Sequence, residues 1–186
     1  MLDKIKLKGC ASVYGPLEDS YLMAEQVEKY AFGSVLDLGT GTGISGIAAA
    51  LKGCNVTFAD IDSNAIRCAK ENATANGVSG NFIESDMFES INGKFNTIVF
   101  NPPYLESARV AERDMALDGG ASGRELIDKF LKEYPGFIEN EYVVLLLESS
   151  INGYEADVKR HNFKVVAKEH FFFEEIAVLK ASSGIY

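Results

Sequence analysis

The chain has 186 residues, 47% of them hydrophobic and 24% charged, and a net charge of −9. That is enough chain for one domain with a real core, and the acidic balance argues against a protein that grips nucleic-acid phosphates over a broad surface. Three cysteines without a CxxC pair and only two histidines, His161 and His170, exclude a zinc-type spacing and predict free thiols at Cys10, Cys54 and Cys68 in a reducing cytoplasm.

The charged start is not followed by an apolar run, so no signal peptide is read there, and Lys4–Lys8 alternates lysine with Ile5 and Leu7 as a solvated strand or arm. Asp19–Tyr30 predicts a helix, with Tyr21, Leu22, Ala24, Val27 and Tyr30 at helical spacing. Ser34–Leu38 reads as a strand and Gly43–Lys52 as a helix of small residues. Asn55–Asp60 is a second strand, followed by a helix over Ser63–Asn76 that Ser63 caps and Asn76-Gly77 ends. Short strands follow at Asn81–Glu84 and Thr97–Phe100, then a helix at Arg124–Tyr134 that Pro135-Gly136 stops.

Tyr142–Leu147 is the most apolar strand and is too short to span a membrane. A helix near Gly153–Arg160 precedes two β-rich runs, Phe163–His170 and Glu175–Lys180. Repeated βα units predict a parallel sheet with helices on both faces, and the two closing strands predict a hairpin. The whole reads as one domain over 1–186: a leading segment and helix (1–33), a ligand-binding half (34–104) and a substrate-side half (105–186). Leu105–Gly123 lacks periodicity and reads as a mobile lid.

Chemistry concentrates at the strand ends. Asp37-Leu38-Gly39-Thr40-Gly41-Thr42-Gly43-Ile44 joins the first strand to a helix through glycines that let backbone approach a ligand. Gly41 to Gly46 also satisfies the GxGxxG dinucleotide pattern, with Asp60 about 20 residues on, so an NAD-type reading must be weighed. Asp37 tilts the choice, because a carboxylate there repels a pyrophosphate and attracts an ammonium. S-adenosylmethionine (SAM) carries an ammonium and a sulfonium and no phosphate. Asp60 then suits the ribose hydroxyls, and Asp86, after the third strand, the adenine amino group.

Asn101-Pro102-Pro103-Tyr104 ends the fourth strand. Two prolines cannot donate backbone hydrogen bonds, so pairing stops there and the acceptors around Asn101 are held rigidly beside an aromatic ring. Such a site suits a flat substrate that presents an NH2 group. With the glycine turn, this array resembles the class I SAM-dependent methyltransferases that modify planar nitrogen.

Two further segments narrow the resemblance. Val13-Tyr14-Gly15-Pro16-Leu17-Glu18-Asp19-Ser20-Tyr21-Leu22 and Ala116-Leu117-Asp118-Gly119-Gly120-Ala121-Ser122-Gly123-Arg124-Glu125 resemble the release-factor glutamine methyltransferases of the HemK family, in their short archaeal and eukaryotic branch. The resemblance implies a single Rossmann-like α/β domain with a seven-stranded, mostly parallel sheet. It also implies N5-methylation of the glutamine in the Gly-Gly-Gln tripeptide of a class I translation release factor.

By the same resemblance the cofactor is SAM, leaving as S-adenosylhomocysteine. Its expected contacts are Ser20, Asp37, Gly39, Gly41, Gly43, Asp60, Ile61, Asp86, Met87 and Asn101, with Ser20 at the carboxylate. Asn101, Pro102, Pro103 and Tyr104 form the catalytic set, and no metal is expected. A small zinc-binding activator subunit would dock on the edge strand Asn81–Glu84, beside Phe82 and Ile83. The rival readings are an adenine or guanine amino-group methyltransferase acting on DNA or RNA, and a catalytically silent scaffold.

Overall fold

The structure, a computed structural model, describes residues 2–10, 13, 15–103, 123–171 and 174–184. Tyr104 and the expected lid, up to its last residue Gly123, lie outside the described residues.

Seven strands form one sheet: β1 (Ser34–Leu38), β2 (Asn55–Asp60), β3 (Asn81–Glu84), β4 (Phe95–Phe100), β5 (Ile138–Ser149), β6 (Lys164–His170) and β7 (Glu175–Ser182). Their order is β3-β2-β1-β4-β5-β7-β6. β1 to β5 are parallel, and β7 runs antiparallel between β5 and β6, which gives the closing hairpin. The helices are α1 (Glu18–Tyr30), α2 (Ile44–Leu51), α3 (Ser63–Ala75), α4 (Glu125–Glu133) and α5 (Tyr154–Arg160).

From β1 the chain steps outward to β2 and β3, then returns to the other side of β1 as β4. The reversal opens a crevice beyond the carboxyl ends of β1 and β4, where ligands of open α/β sheets bind. The pleat assigns the faces. Asp37 pairs in register with Phe58 and Val99, so all three share one face. Gly46 of α2 lies against Phe58 and Asp37 on that face. Phe100, one residue past Val99, points the other way, and Phe130 of α4 stacks on it with ring centroids 4.9 Å apart. Helices therefore cover both faces. Val143 to Leu147 of β5 are fully buried, which explains an unbroken apolar run where an exposed strand would alternate.

Several boundaries moved for local reasons. β5 is longer than its apolar run because its first turn of residues, Glu139-Asn140-Glu141, is polar and exposed yet still strand. α3 is capped by Asp62, whose side chain accepts from the Asn64 N–H at 2.8 Å, while Ser63 is already helical. Among the described residues no helix is long and apolar enough to cross a membrane.

The leading arm is held by one face of α3. Cys68, Asn72 and Asn76 recur at four-residue spacing and meet Cys10, Lys8 and Lys6 at two-residue spacing. The registers match because four helical residues rise about 6 Å and two extended residues about 6.6 Å. Asn76 Oδ1 accepts from the Lys6 N–H and Asn72 Oδ1 from the Lys8 N–H, both at 2.8 Å, and each amide nitrogen donates back to the same residue's carbonyl. The third rung is a disulfide between Cys10 and Cys68, so two of the three expected free thiols are paired. Only folding brings partners 58 residues apart together, which is why the spacing concealed them. Closing such a loop stabilises the fold by roughly 2–4 kcal/mol. Cys54 is free and half-buried, and burial pushes its thiol pKa up.

Candidate active site

The crevice holds a cavity of about 550 Å³, within the usual size of small-molecule sites. It is lined by the ends of β1, β2 and β4, the turn after β3, the start of α1, and Val13.

The first wall is the glycine turn. Asp37 closes β1 almost fully buried, and its Oδ2 accepts from Thr40 Oγ1 at 2.6 Å and from the Gly46 N–H at 2.9 Å. Burial raises its pKa to about 7, against the opposing pull of those two donors. Gly46 is obligatory, since a Cβ there would lie 2.2 Å from the Phe58 ring and 2.9 Å from Asp37 Oδ2. Gly39 and Gly41 line the cavity. Gly43 does not: at φ +87° it caps α2, and a Cβ would meet Ala69 at 3.1 Å. Its expected cofactor contact is thus replaced by a helix-packing role.

The second wall is β2. Asp60 Oδ2 accepts from the Gly41 N–H at 2.9 Å and Oδ1 from the Asp62 N–H at 3.0 Å. Burial raises the Asp60 pKa and these donors lower it. The carboxylate thereby ties the glycine turn to the next loop and still faces the cavity, as does the exposed side of Ile61. After β3, Asp86 and Met87 both line the cavity. Met87 takes a positive φ of 48°, a conformation that costs a non-glycine residue roughly 1–2 kcal/mol. Ser85 holds that turn, donating to the Met87 carbonyl at 2.9 Å and accepting from the Ser90 N–H. One Asp86 oxygen is already engaged, 3.0 Å from Lys129 Nζ of α4, which the sequence pattern did not foresee.

The third wall carries the acceptor. Asn101 Nδ2 donates to Asp19 Oδ2 at 2.9 Å, while Asn101 Oδ1 is buried and has no hydrogen-bond partner among the described residues. A carboxylate only accepts, so the contact directs the amide nitrogen to Asp19 and the oxygen away from it. Leaving a buried acceptor unmet costs about 1–3 kcal/mol, which a ligand N–H would recover. Pro102 and Pro103 line the same wall, and Ser20 faces them from the start of α1.

Sequence reasoning missed Asp19, Asp62, Thr40 and Ser85. Asp19 and Thr40 sat inside motifs already singled out, but nothing local marks which motif residue turns inward. Among the described lining residues stand five acids (Asp19, Asp37, Asp60, Asp62 and Asp86) and no lysine or arginine. Such a surface repels phosphate and attracts a cation, which disfavours the dinucleotide reading of the glycine turn. SAM fits the donor set: buried carboxylates for its ammonium and ribose hydroxyls, and no phosphate to repel.

Fold and cavity define a Rossmann-like, SAM-dependent N-methyltransferase. The chain belongs to the methyltransferase small domain family, whose model matches residues 11–117. It is 40% identical over 190 residues to a Methanocaldococcus jannaschii protein described, provisionally, as a protein N5-glutamine methyltransferase, with 97% of this chain and 96% of that one covered. The release factor glutamine methyltransferase of Deinococcus radiodurans is 34% identical over 61% of this chain, which spans only 44% of that longer protein. Among solved structures, the E. cuniculi Mtq2–Trm112 complex, responsible for methylation of the eRF1 translation termination factor, aligns with a TM-score of 0.73 at 24% identity, covering 93% of this chain and 99% of that one. A Thermus thermophilus 16S rRNA guanine-N2 methyltransferase, solved with SAM and guanosine, aligns at 0.68 and 22% identity over 95% of this chain and 46% of its own.

Proposed function

We propose that this enzyme transfers the methyl group of SAM to the side-chain nitrogen of the glutamine in the Gly-Gly-Gln tripeptide of a class I translation release factor, in the cytoplasm. The observation that carries the reading is the Asn101 oxygen, buried, unpartnered and fixed at the end of a cation-seeking cavity.

An amide nitrogen is a poor nucleophile because its lone pair is delocalised into the carbonyl. Positioning must therefore supply much of the rate, and a near-attack geometry is worth about 7–11 kcal/mol. Asn101 Oδ1 and the Pro102 carbonyl accept the two N–H bonds of the glutamine amide, which aims the nitrogen and favours positive charge on it as transfer proceeds. The role the motif implies for Tyr104, which lies outside the described residues, is to cover the flat amide and keep water away. Asp37 holds the cofactor ammonium, Asp60 the ribose and Ser20 the carboxylate, while Asp86 and Met87 meet the adenine. SAM would supply an electrophilic methyl on a sulfonium: the N–CH3 bond forms as the S–CH3 bond breaks, S-adenosylhomocysteine leaves, and the methylated nitrogen then gives up one N–H proton to water.

Incubation with labelled SAM, a class I release factor and bulk nucleic acid tests the reading. Label should enter the release factor and vanish when its Gly-Gly-Gln glutamine is replaced; label in nucleic acid would overturn the assignment. Asn101→Ala should lower transfer about a hundredfold, on the order of 3 kcal/mol, with SAM affinity nearly unchanged.

A small zinc-binding activator subunit belongs to the same reading. β3 is the sheet edge and pairs only with β2, so its outer backbone groups are open to strand addition. Phe82 does not point to a partner: it stacks on Phe58 with centroids 4.7 Å apart, and Ile83 packs on the core as well. Docking would therefore be carried by backbone rather than by an apolar patch.

A further inference from the structure

We propose that Asp19 is a positioning residue that sets the orientation of the Asn101 amide and so decides whether the site presents an acceptor to its substrate. The inference rests on the amide-methylation reading above and deepens it. Asn101 ends β4 and Asp19 lies in the first turn of α1, 82 residues away. Their contact is the single side-chain tie of Asn101 among the described residues, and it is buried on the Asp19 side.

An asparagine amide is nearly symmetric in shape, so packing alone hardly distinguishes its two flips. Chemistry does. With the nitrogen on Asp19, the oxygen takes the position where the structure finds it covered and unpartnered. With the amide reversed, oxygen would face the Asp19 carboxylate at the same 2.9 Å separation, and an NH2 group would confront the substrate NH2. The reversed site would keep only the Pro102 carbonyl as an acceptor and lose half of its grip on the amide.

Donation to a carboxylate also draws electron density toward the amide oxygen and strengthens it as an acceptor. Ser20 Oγ donates its one O–H to the other Asp19 oxygen at a long 3.4 Å, and would turn it to the cofactor carboxylate when SAM binds. Consecutive residues of α1 thus serve both ligands, Ser20 the cofactor and Asp19, through Asn101, the substrate. That is a physical reason for an Asp-Ser pair at the start of this helix.

A double-mutant cycle on the full chain with a release-factor substrate tests the inference. In the wild-type background Asp19→Ala should lower the methyl-transfer rate about tenfold or more, and in the Asn101→Ala background by less than about twofold. Asp19→Asn keeps the shape but can donate as well as accept, so it satisfies either flip and should recover the rate only in part. Equal losses in both backgrounds, or a full wild-type rate in Asp19→Asn, would overturn the inference. A second readout needs no activity: the side-chain amide signal of Asn101 in a 15N-labelled protein, assigned by its loss in Asn101→Ala, should shift in both Asp19→Ala and Asp19→Asn, since each removes the charged acceptor. An unshifted signal in Asp19→Ala would refute the tie. Absence of any transfer by the wild-type enzyme beside a shifted signal would instead refute the amide-methylation reading.

Discussion

Two regions of this molecule bury carboxylates, and they treat them differently. At the ends of β1 and β2, Asp37 and Asp60 are held by backbone and hydroxyl donors, with no cation lining the cavity among the described residues. Beneath the start of α4, Glu148 and Asp157 are 0% and 1% exposed and surround Arg124. The guanidinium lies 2.7 Å from Asp157, 2.8 Å from Asp128 and 3.5 Å from Glu148, and donates to the Asn152 carbonyl at 2.6 Å. Asn152 in turn donates to the Gly123 carbonyl at 3.1 Å, so the cluster anchors the backbone just ahead of α4. A buried acid that owns its cation is architecture. Buried acids that lack one are waiting for a ligand that brings it.

The largest expected effect comes from removing the built-in cation. Arg124→Met would leave Asp157 buried without its counter-charge, beside a Glu148 whose pKa burial and the neighbouring Asp157 push up to about 8 against the pull of Arg124, and breaking such a group costs about 3–5 kcal/mol. Urea unfolding should show that loss, whereas SAM affinity of the folded variant should change little. Equal stability in the variant would mean that the two acid clusters do not differ in kind.

Asp60→Ala should act the other way round. It removes a charged acceptor for ligand hydroxyls and frees only two backbone N–H groups near solvent, so SAM affinity should fall by about 2 kcal/mol, some thirtyfold. Calorimetry reads that change, and a thermal midpoint close to wild type shows that the fold is kept. Unchanged affinity would remove Asp60 from the ribose role.

The smallest effect sharpens the comparison through pH. Burial lifts the Asp37 pKa to about 7. A raised folded pKa contributes stability that is complete below the unfolded value and lost as pH rises through about 7. A cationic ligand reverses the preference at the site, favouring the ionised form. SAM affinity should accordingly climb as pH rises, by about tenfold between pH 6 and pH 8, with proton uptake by the buffer on binding. Calorimetry in buffers of different ionisation heat measures the released proton. A flat profile would separate Asp37 from the ammonium.

Much of this was legible along the chain. β1 and β2 fall where their apolar runs meet Gly, Asn and Asp, because in a parallel sheet covered on both faces the run itself is the strand. The glycine turn and Asn-Pro-Pro are legible for the same reason: φ limits and missing donors act within a few residues and need no partner. β5 was read short, since polar Glu139 to Glu141 look like a loop and lie at the register shift between Ile138 and Val143, ahead of the regular pairing.

By itself, then, the sequence determined the alternation of elements, the cofactor turn, the acceptor motif and the acidic character of the site, all of them consequences of short-range sterics and composition. Tertiary structure alone decided which equivalent-looking polar residues would meet. It paired Cys10 with Cys68, gave Arg124 to Asp157 and Glu148, took one oxygen of Asp86 for Lys129, and set Asp19 against the Asn101 nitrogen. Those choices depend on the strand order that returns β4 beside β1 and on the arm that α3 holds in place. A hydrogen bond is formed only at about 3 Å, and residues tens of positions apart reach that distance only once the sheet has been assembled.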